Sequence, residues 1–182
     1  MTSTDEKELM EKLSNPATQR KAFEQVVRQY SEPLYWQVRR IVLSQEDAND
    51  VMQNVMMKAW MNLDTFRKAS KLSTWLYRIA INESLDFVRH QKSASMTSAD
   101  DDTGIANTLM ADQYFDGDET EAQLQEAIAQ LPDVQRTVFN LRYYDEMKYN
   151  EMSKVLNTSE GALKASYHIA VKKISDFFKQ RD

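Results

Sequence analysis

Glycine and proline are nearly missing from this chain: its 182 residues include three of each. A sheet protein uses many of both, because Gly enters positive φ freely and Pro presets tight turns. The residues that dominate instead (Ala, Leu, Gln, Glu, Lys and Met) favour helix. Hydrophobic residues make up 42% of the chain, enough to build real cores. The expected fold is all-α.

Two of the three glycines, Gly104 and Gly117, fall in one stretch, Ser93–Asp118, together with Ser, Thr, Ala and six aspartates but no Lys or Arg. That stretch has no helical periodicity. It reads as a flexible acidic linker joining two small helical domains, 1–92 and 119–182. Net charge is −5 overall, yet both flanks are basic. Between Thr65 and Lys92, Arg67, Lys68, Lys71, Arg78, Arg89 and Lys92 outweigh Glu83 and Asp86. Between Met147 and Arg181, seven basic residues outweigh three acidic ones. Such patches suit phosphate, while the whole-chain charge opposes it. The pattern predicts a DNA binder that needs a partner to concentrate it on DNA.

In the N-terminal domain a short first helix ends near Ser14, and further helices are expected over roughly 17–30, 31–43, 44–63 and 73–91. Ser44 with Asp47 has the spacing of a capping box. Ala48, Val51, Met52, Val55 and Ala59 then form a core stripe, and Asp50, Asn54, Met57 and Met61 a second stripe pointing away from it. Exposed Met beside Asp and Asn fits a partner surface, and a solvated face fits the pattern nearly as well. In the C-terminal domain the first helix carries Leu124, Ile128 and Leu131. Pro132 starts a second, with Val134, Val138, Phe139 and Leu141.

Tyr149 to His168 has the order helix, turn, helix. Asn157 tolerates the left-handed conformation that ends a helix, and Ser159 can cap the next one. Leu163, Tyr167, Ala170, Ile174 and Phe177 recur at core spacing, which leaves Lys164, Ala165, His168, Ile169 and Lys172 outward. Small residues and lysines on a protruding helix suit the major groove. Upstream, Phe66–Arg89 mixes Phe66, Trp75 and Tyr77 with Arg67, Lys68, Lys71 and Arg78. Aromatic faces stack on unpaired bases while cations follow the backbone. Trp75, Leu76, Ile79 and Ala80 are better read as core, and the loop Lys68–Ser73 is the better candidate base pocket.

Other chemistries find little support. The chain has no cysteine, hence no thiolate nucleophile or disulfide, and the absence fits a reducing cytosol. His90 and His168 are the only histidines, so a metal site or His-based triad is poorly supported. The glycines form no phosphate loop. The charged N-terminus and the lack of a long apolar run predict a soluble, cytoplasmic protein.

The motifs together resemble the extracytoplasmic-function sigma factors of the sigma-70 family. Asp47-Ala48-Asn49-Asp50-Val51-Met52-Gln53 with Lys58-Ala59-Trp60 is similar to their polymerase-clamp helix. Ser73-Thr74-Trp75-Leu76-Tyr77-Arg78-Ile79-Ala80 with Asn82, Asp86 and Arg89 is similar to their promoter-melting helix. Leu131-Pro132, Gln135-Arg136, Val138-Phe139 and Leu141-Arg142 resemble the start of their C-terminal domain, and Ser159-Glu160-Gly161-Ala162-Leu163-Lys164 with His168 and Ala170 their recognition helix. The likeness runs from about Phe23 to Ile174 in order and spacing.

The resemblance implies a subunit that directs core RNA polymerase to promoters and helps open them, not an enzyme, with no cofactor and no small-molecule substrate. Asp47, Asp50, Gln53, Asn54 and Met57 would dock on the clamp helices of the largest polymerase subunit, with a further contact to the flap. Arg67, Lys68, Ser70, Lys71, Ser73 and Asn82 would hold the minus-ten element. Ser159, Lys164, Ala165, Ser166, His168, Ile169 and Lys172 would read the minus-thirty-five element. The family also implies an anti-sigma partner, membrane-anchored in many members, and a linker that threads toward the polymerase active-site channel. Asn49 and Asn54 stand where the family often has acidic residues, and Ser166 and Ile169 where it often has arginines. Two other readings fit the residues: a stand-alone helix-turn-helix regulator, which would bind DNA unaided, and a helical protein-binding adaptor, which would not bind it specifically.

Overall fold

The computed structural model describes residues 3–66, 71–94 and 117–181, and within these it is helical throughout, with no strand. Its elements are α1 (Ser3–Ser14), α2 (Gln19–Val42), α3 (Gln45–Met61), a 3-10 turn (Leu63–Thr65), α4 (Leu72–Ala94), α5 (Glu119–Ala129), α6 (Asp133–Tyr143), α7 (Tyr149–Leu156) and α8 (Glu160–Lys179).

Where one helix was expected to stop near Tyr30 and another to begin at Ser31, the chain runs on as the single 24-residue α2, with Pro33 inside it. A proline normally breaks a helix because it lacks an N–H and crowds the preceding turn. Here burial outweighs that penalty. Val26 before the proline and Leu34, Val38, Ile41 and Val42 after it are all sealed in one core. Ser31 Oγ also donates to the Val27 carbonyl at 2.5 Å, within the turn the proline interrupts. The helix ends at Leu43, in the left-handed region with φ 68°, where its N–H bonds the Arg39 carbonyl.

α3 starts as expected: Ser44 Oγ accepts the Asp47 N–H at 3.3 Å. Ala48, Val51, Val55 and Ala59 are buried against α2 and α4. Lys58 pairs with Glu83 to tie α3 to α4. α4 runs through Ala94, two residues into the expected linker, of which the described residues include only Ser93, Ala94, Gly117 and Asp118. Asp118 caps α5 by accepting the Glu121 N–H at 3.0 Å.

The C-terminal half has a small core of its own: Ala127, Ile128, Leu131, Phe139, Ala170 and Ile174. Phe139 stacks on both Tyr143 and Tyr167, holding the middle of α8, and Arg181 grips Glu126 with two nitrogens just past its C-terminal end. Val134, expected on the apolar side of α6, is 65% exposed instead. Position 134 shares a side with 138 and 141 but stands in the first turn of α6, and burial begins only at Arg136. Val138, Leu141, Met152, Val155 and Leu163 belong to the same buried cluster as α2, α3 and α4. The two halves are thus packed against each other, with α2 on α5 and α6 and α4 on α7.

Candidate functional site

Three faces carry the candidate residues. On α3, positions 47, 50, 54, 57 and 61 recur at helical spacing on one side, opposite the buried stripe. Asp50, Gln53 and Asn54 are exposed, as are Met57 and Met61 at 54% and 71%. Asp47 is half-buried, and Gln91 of α4 reaches its carboxylate at 3.5 Å. Beside this stripe a groove of about 810 Å³ is lined by Ser31, Glu32, Tyr35, Asn49, Met52 and Gln53, among others. Trp60, 42% exposed near the C-terminal end of α3, stacks edge-on with Phe23. The result is an acidic and amide strip bordered by Met and Trp, suited to a basic helical partner with apolar residues at its edge.

The second face involves α4 and the segment before it. Arg67, Lys68 and Ser70 lie outside the described residues. Lys71 is exposed and Ser73 half-buried. Ser73 and Asn82 are two and a half turns apart, which puts them on opposite sides of the helix. Asn82 instead shares its exposed side with Arg78 and Arg89, whose spacings of four and seven residues stack them along the helix. Arg89 also pairs with Asp86 at 3.3 Å. The helix therefore presents Arg78, Asn82 and Arg89 as one cationic stripe, and the two arginines had been counted in the basic patch without being assigned to the face. Their spacing alone would have found them. Trp75 is half-buried and packs against Phe66 at 5.0 Å, as the core reading of Trp75 anticipated.

The third face is the helix-turn-helix. Asn157 ends α7 in the left-handed region, φ 50° and ψ 45°, and Ser159 Oγ accepts the Ala162 N–H at 3.3 Å to begin α8. Leu163, Ala170 and Ile174 are buried. Ser159, Lys164, Ala165, His168, Ile169 and Lys172 are exposed, while Ser166 is half-buried at the edge of the core side. Arg142 lies 5.4 Å and Lys164 5.6 Å from the Tyr149 ring centre. Arg142 also donates to the Met147 carbonyl at 3.3 Å. Two cations thus share one aromatic ring beside the start of α8, held by attraction to the ring face. Sequence reading missed Tyr149 and Arg142 as members of this face, because the contact joins three helices and follows no single period.

Behind the faces, where the halves meet, the Arg40 guanidinium sits 3.8 Å over the Tyr144 ring. Burial pulls Arg40 below its ordinary value, and the neighbouring Tyr144 and Asp145 oppose that. Burial pushes Asp145 up to about 6 against the pull of Arg40. It pushes Tyr77 up to about 12, with Asp145 adding to the effect. Tyr144 is raised by burial and by the hydrogen bond it donates to Glu121 Oε1 at 2.6 Å. No described helix is long and apolar enough to cross a membrane.

Comparison with known proteins adds independent observations. The sequence pattern described as Sigma-70 region 2 matches residues 26–94, and that described as Sigma-70, region 4 matches residues 121–174. The chain is 31% identical over 156 residues to the ECF RNA polymerase sigma factor SigW of Bacillus subtilis, covering 81% of this chain and 83% of that one. It is 27% identical to the RNA polymerase sigma-H factor of Pseudomonas aeruginosa, with 91% and 89% covered. Among solved structures, CnrH in complex with the cytosolic domain of CnrY shares the fold at TM-score 0.71 and 22% identity, covering 97% of this chain and 99% of that one. The sigma factor RpoE in complex with the anti-sigma factor NepR from Bartonella quintana shares it at TM-score 0.69 and 22% identity, covering 87% and 98%.

Proposed function

The chain belongs to the extracytoplasmic-function sigma factors of the sigma-70 family and directs RNA polymerase to promoters, and on that basis we propose a division of labour among its faces. The N-terminal half, 1–92, binds core polymerase and melts the minus-ten element; 93–118 is a linker; 119–182 binds the minus-thirty-five element. Asp47, Asp50, Gln53, Asn54 and Met57 dock on the clamp helices. Lys71 and Asn82, joined by Arg78 and Arg89, face the melted strand, and Arg67, Lys68 and Ser70 are proposed for the same task from the sequence. Ser73 is proposed to act from its half-buried position at the start of α4.

At the upstream element Ser159, Lys164, Ala165, His168, Ile169 and Lys172 line the outer side of α8, with Ser166 at its margin. Tyr149 and Arg142 support Lys164. The observation that carries this assignment is the capped α8, which buries Leu163, Ala170 and Ile174 and packs Tyr167 and Phe177 on the same inner side. An arginine forking onto guanine is the commonest specific base contact. The outer side of α8 has none, so phosphate contacts by lysine and apolar contacts to base edges take the larger share. The protein acts in the cytoplasm, as an initiation factor without catalysis of its own. Two relatives of the same fold were solved with the anti-sigma factor NepR and with a cytosolic domain of CnrY. An anti-sigma protein that covered the cationic stripe and the α3 strip would silence this chain.

Run-off transcription with purified bacterial core polymerase and genomic fragments tests the reading. Discrete transcripts that require both components are expected. Footprints on DNA without core would instead favour a stand-alone regulator. Within that assay Lys164→Ala should lower promoter output several-fold more than Lys179→Ala, at the far end of the same helix. Equal effects would place the reading face elsewhere.

A further inference from the structure

Methionine is a soft apolar side chain that proteins place mainly in cores, and Met152, fully buried, follows that rule. α3 uses it differently. Four of the chain's ten methionines, Met52, Met56, Met57 and Met61, fall on this one helix. Met52 and Met56 are half-buried and line the groove of about 810 Å³ beside α2. Met57 and Met61 lie one turn apart on the outer stripe. They are 54% and 71% exposed, and Met61 is the most exposed large apolar side chain among the described residues.

Their position makes the thioether chemistry consequential. Met57 and Met61 continue the line of the exposed Asp50 and Asn54, so whatever docks on that strip covers their sulfurs. A thioether accepts apolar contacts of many shapes, whereas a sulfoxide carries a polar S–O group that must be hydrogen-bonded or left in water. The conversion needs only a peroxide. The sulfur lone pair attacks one peroxide oxygen and the O–O bond breaks. The departing hydroxide takes the proton left on the transferred oxygen and leaves as water. Sulfur is thereby oxidised by two electrons and the peroxide reduced by two. A dithiol reverses the step, carrying the oxygen off as water while its thiols close to a disulfide. The chain has no cysteine, so no thiol of its own competes for the oxidant. Trp60, also exposed, is another oxidisable side chain nearby.

We propose that Met57 and Met61 form a reversible modification site, whose oxidation by peroxide to the sulfoxide withdraws the free chain from core polymerase. The inference rests on the assignment of the α3 strip to polymerase docking. A docked strip hides both sulfurs, so the modification acts on the free chain and spares the bound one. α4 and α8 contain no methionine, so the promoter-facing sides are unchanged by it. The site reads peroxide at the step before promoter choice.

The test treats the full chain with dilute hydrogen peroxide. Peptide mass spectrometry should find Met57 and Met61 oxidised several-fold faster than the buried Met152, and prior assembly with core should suppress that excess. The oxidised chain should bind immobilised bacterial core polymerase about ten-fold more weakly. A pair of methionine sulfoxide reductases, one for each sulfoxide epimer, with dithiothreitol should restore binding. A chain carrying Met57→Leu with Met61→Leu, judged against its own untreated sample, should keep its affinity through the same treatment. Oxidation no faster than at Met152 would overturn the site, as would an oxidised chain that binds like the untreated one. A leucine variant that loses as much as the parent would also overturn it, placing the effect on another side chain such as Trp60. Should the untreated chain fail to bind core, the docking reading of α3 falls and the proposal with it. Intact untreated binding that oxidation leaves unchanged removes the modification site alone.

Discussion

The packing of α2 with α3 and α4 and the packing of α2 with α6 use the same helix for different ends. Toward α3 and α4 the contact is made by Val26, Leu34, Val38, Ala48, Val51, Val55, Leu76 and Ala80, all buried. Such contact is non-directional and loses heavily if water enters. Toward α6 the same helix offers Arg40 to Asn140, Tyr144 and Asp145, groups that water can serve as well as their partners do. The first arrangement makes a body. The second sets a polar group inside an apolar rim that includes Val138 and Leu141, where buried atoms without partners (Asn140 Oδ1, Arg40 Nε and Asp145 Oδ2) offset part of the apolar gain.

The contrast can be broken most sharply from inside the first region. Leu34→Ala, at a fully buried position, should cost about 2–5 kcal/mol by transfer and cavity together, read as a lowered urea midpoint. A loss below about 1 kcal/mol would mean that this core is no firmer than the seam.

A smaller effect comes from Asp145. Its carboxyl is raised by burial from 3.8 to about 6, with Arg40 pulling the other way, and Tyr77, Tyr144 and Glu121 also stand around the pair. The folded chain therefore holds the Asp145 proton more tightly than the unfolded one. Its contribution to stability should rise as pH falls through about 6, by about 1 kcal/mol between pH 7 and pH 5. Urea midpoints compared at the two pH values should show this in the parent chain, and Asp145→Asn should flatten the difference. An identical pH profile in the variant would remove Asp145 from the seam's energetics.

The smallest change is expected at the rim. Lys92 is 65% exposed in its pair with Asp133, and Lys92→Ala should shift stability by no more than about 0.2–1 kcal/mol. A larger loss in the same urea titration would show that the rim, rather than Arg40, carries the seam.

Much of the fold could be read from local rules. Ser44 and Ser159 cap their helices, Asn157 turns left-handed, and the buried residues of α3 and α8 fall on the stripes their spacing predicts. Each depends on residues within a turn or two of each other, where the chemistry is fixed by sequence neighbours. The candidate faces on α3 and α8 were legible for the same reason, since a helix that buries one side must present the other. The α4 face was legible only in part: its basic content was plain, but Ser73 and Asn82 were grouped although half a turn of phase separates them.

What sequence alone determined here is the helical class, the register of each amphipathic helix and the family whose motifs those registers carry. Tertiary structure decided the rest. Pro33 stays inside α2 because residues on both sides of it are buried in one core, a gain no window around the proline can reveal. Tyr149 joins Arg142 to Lys164 only once three helices converge. The meeting of Arg40 with residues one hundred positions away has no periodicity at all. Local patterns fix which side of a helix is buried; which helix buries it depends on how the whole chain closes.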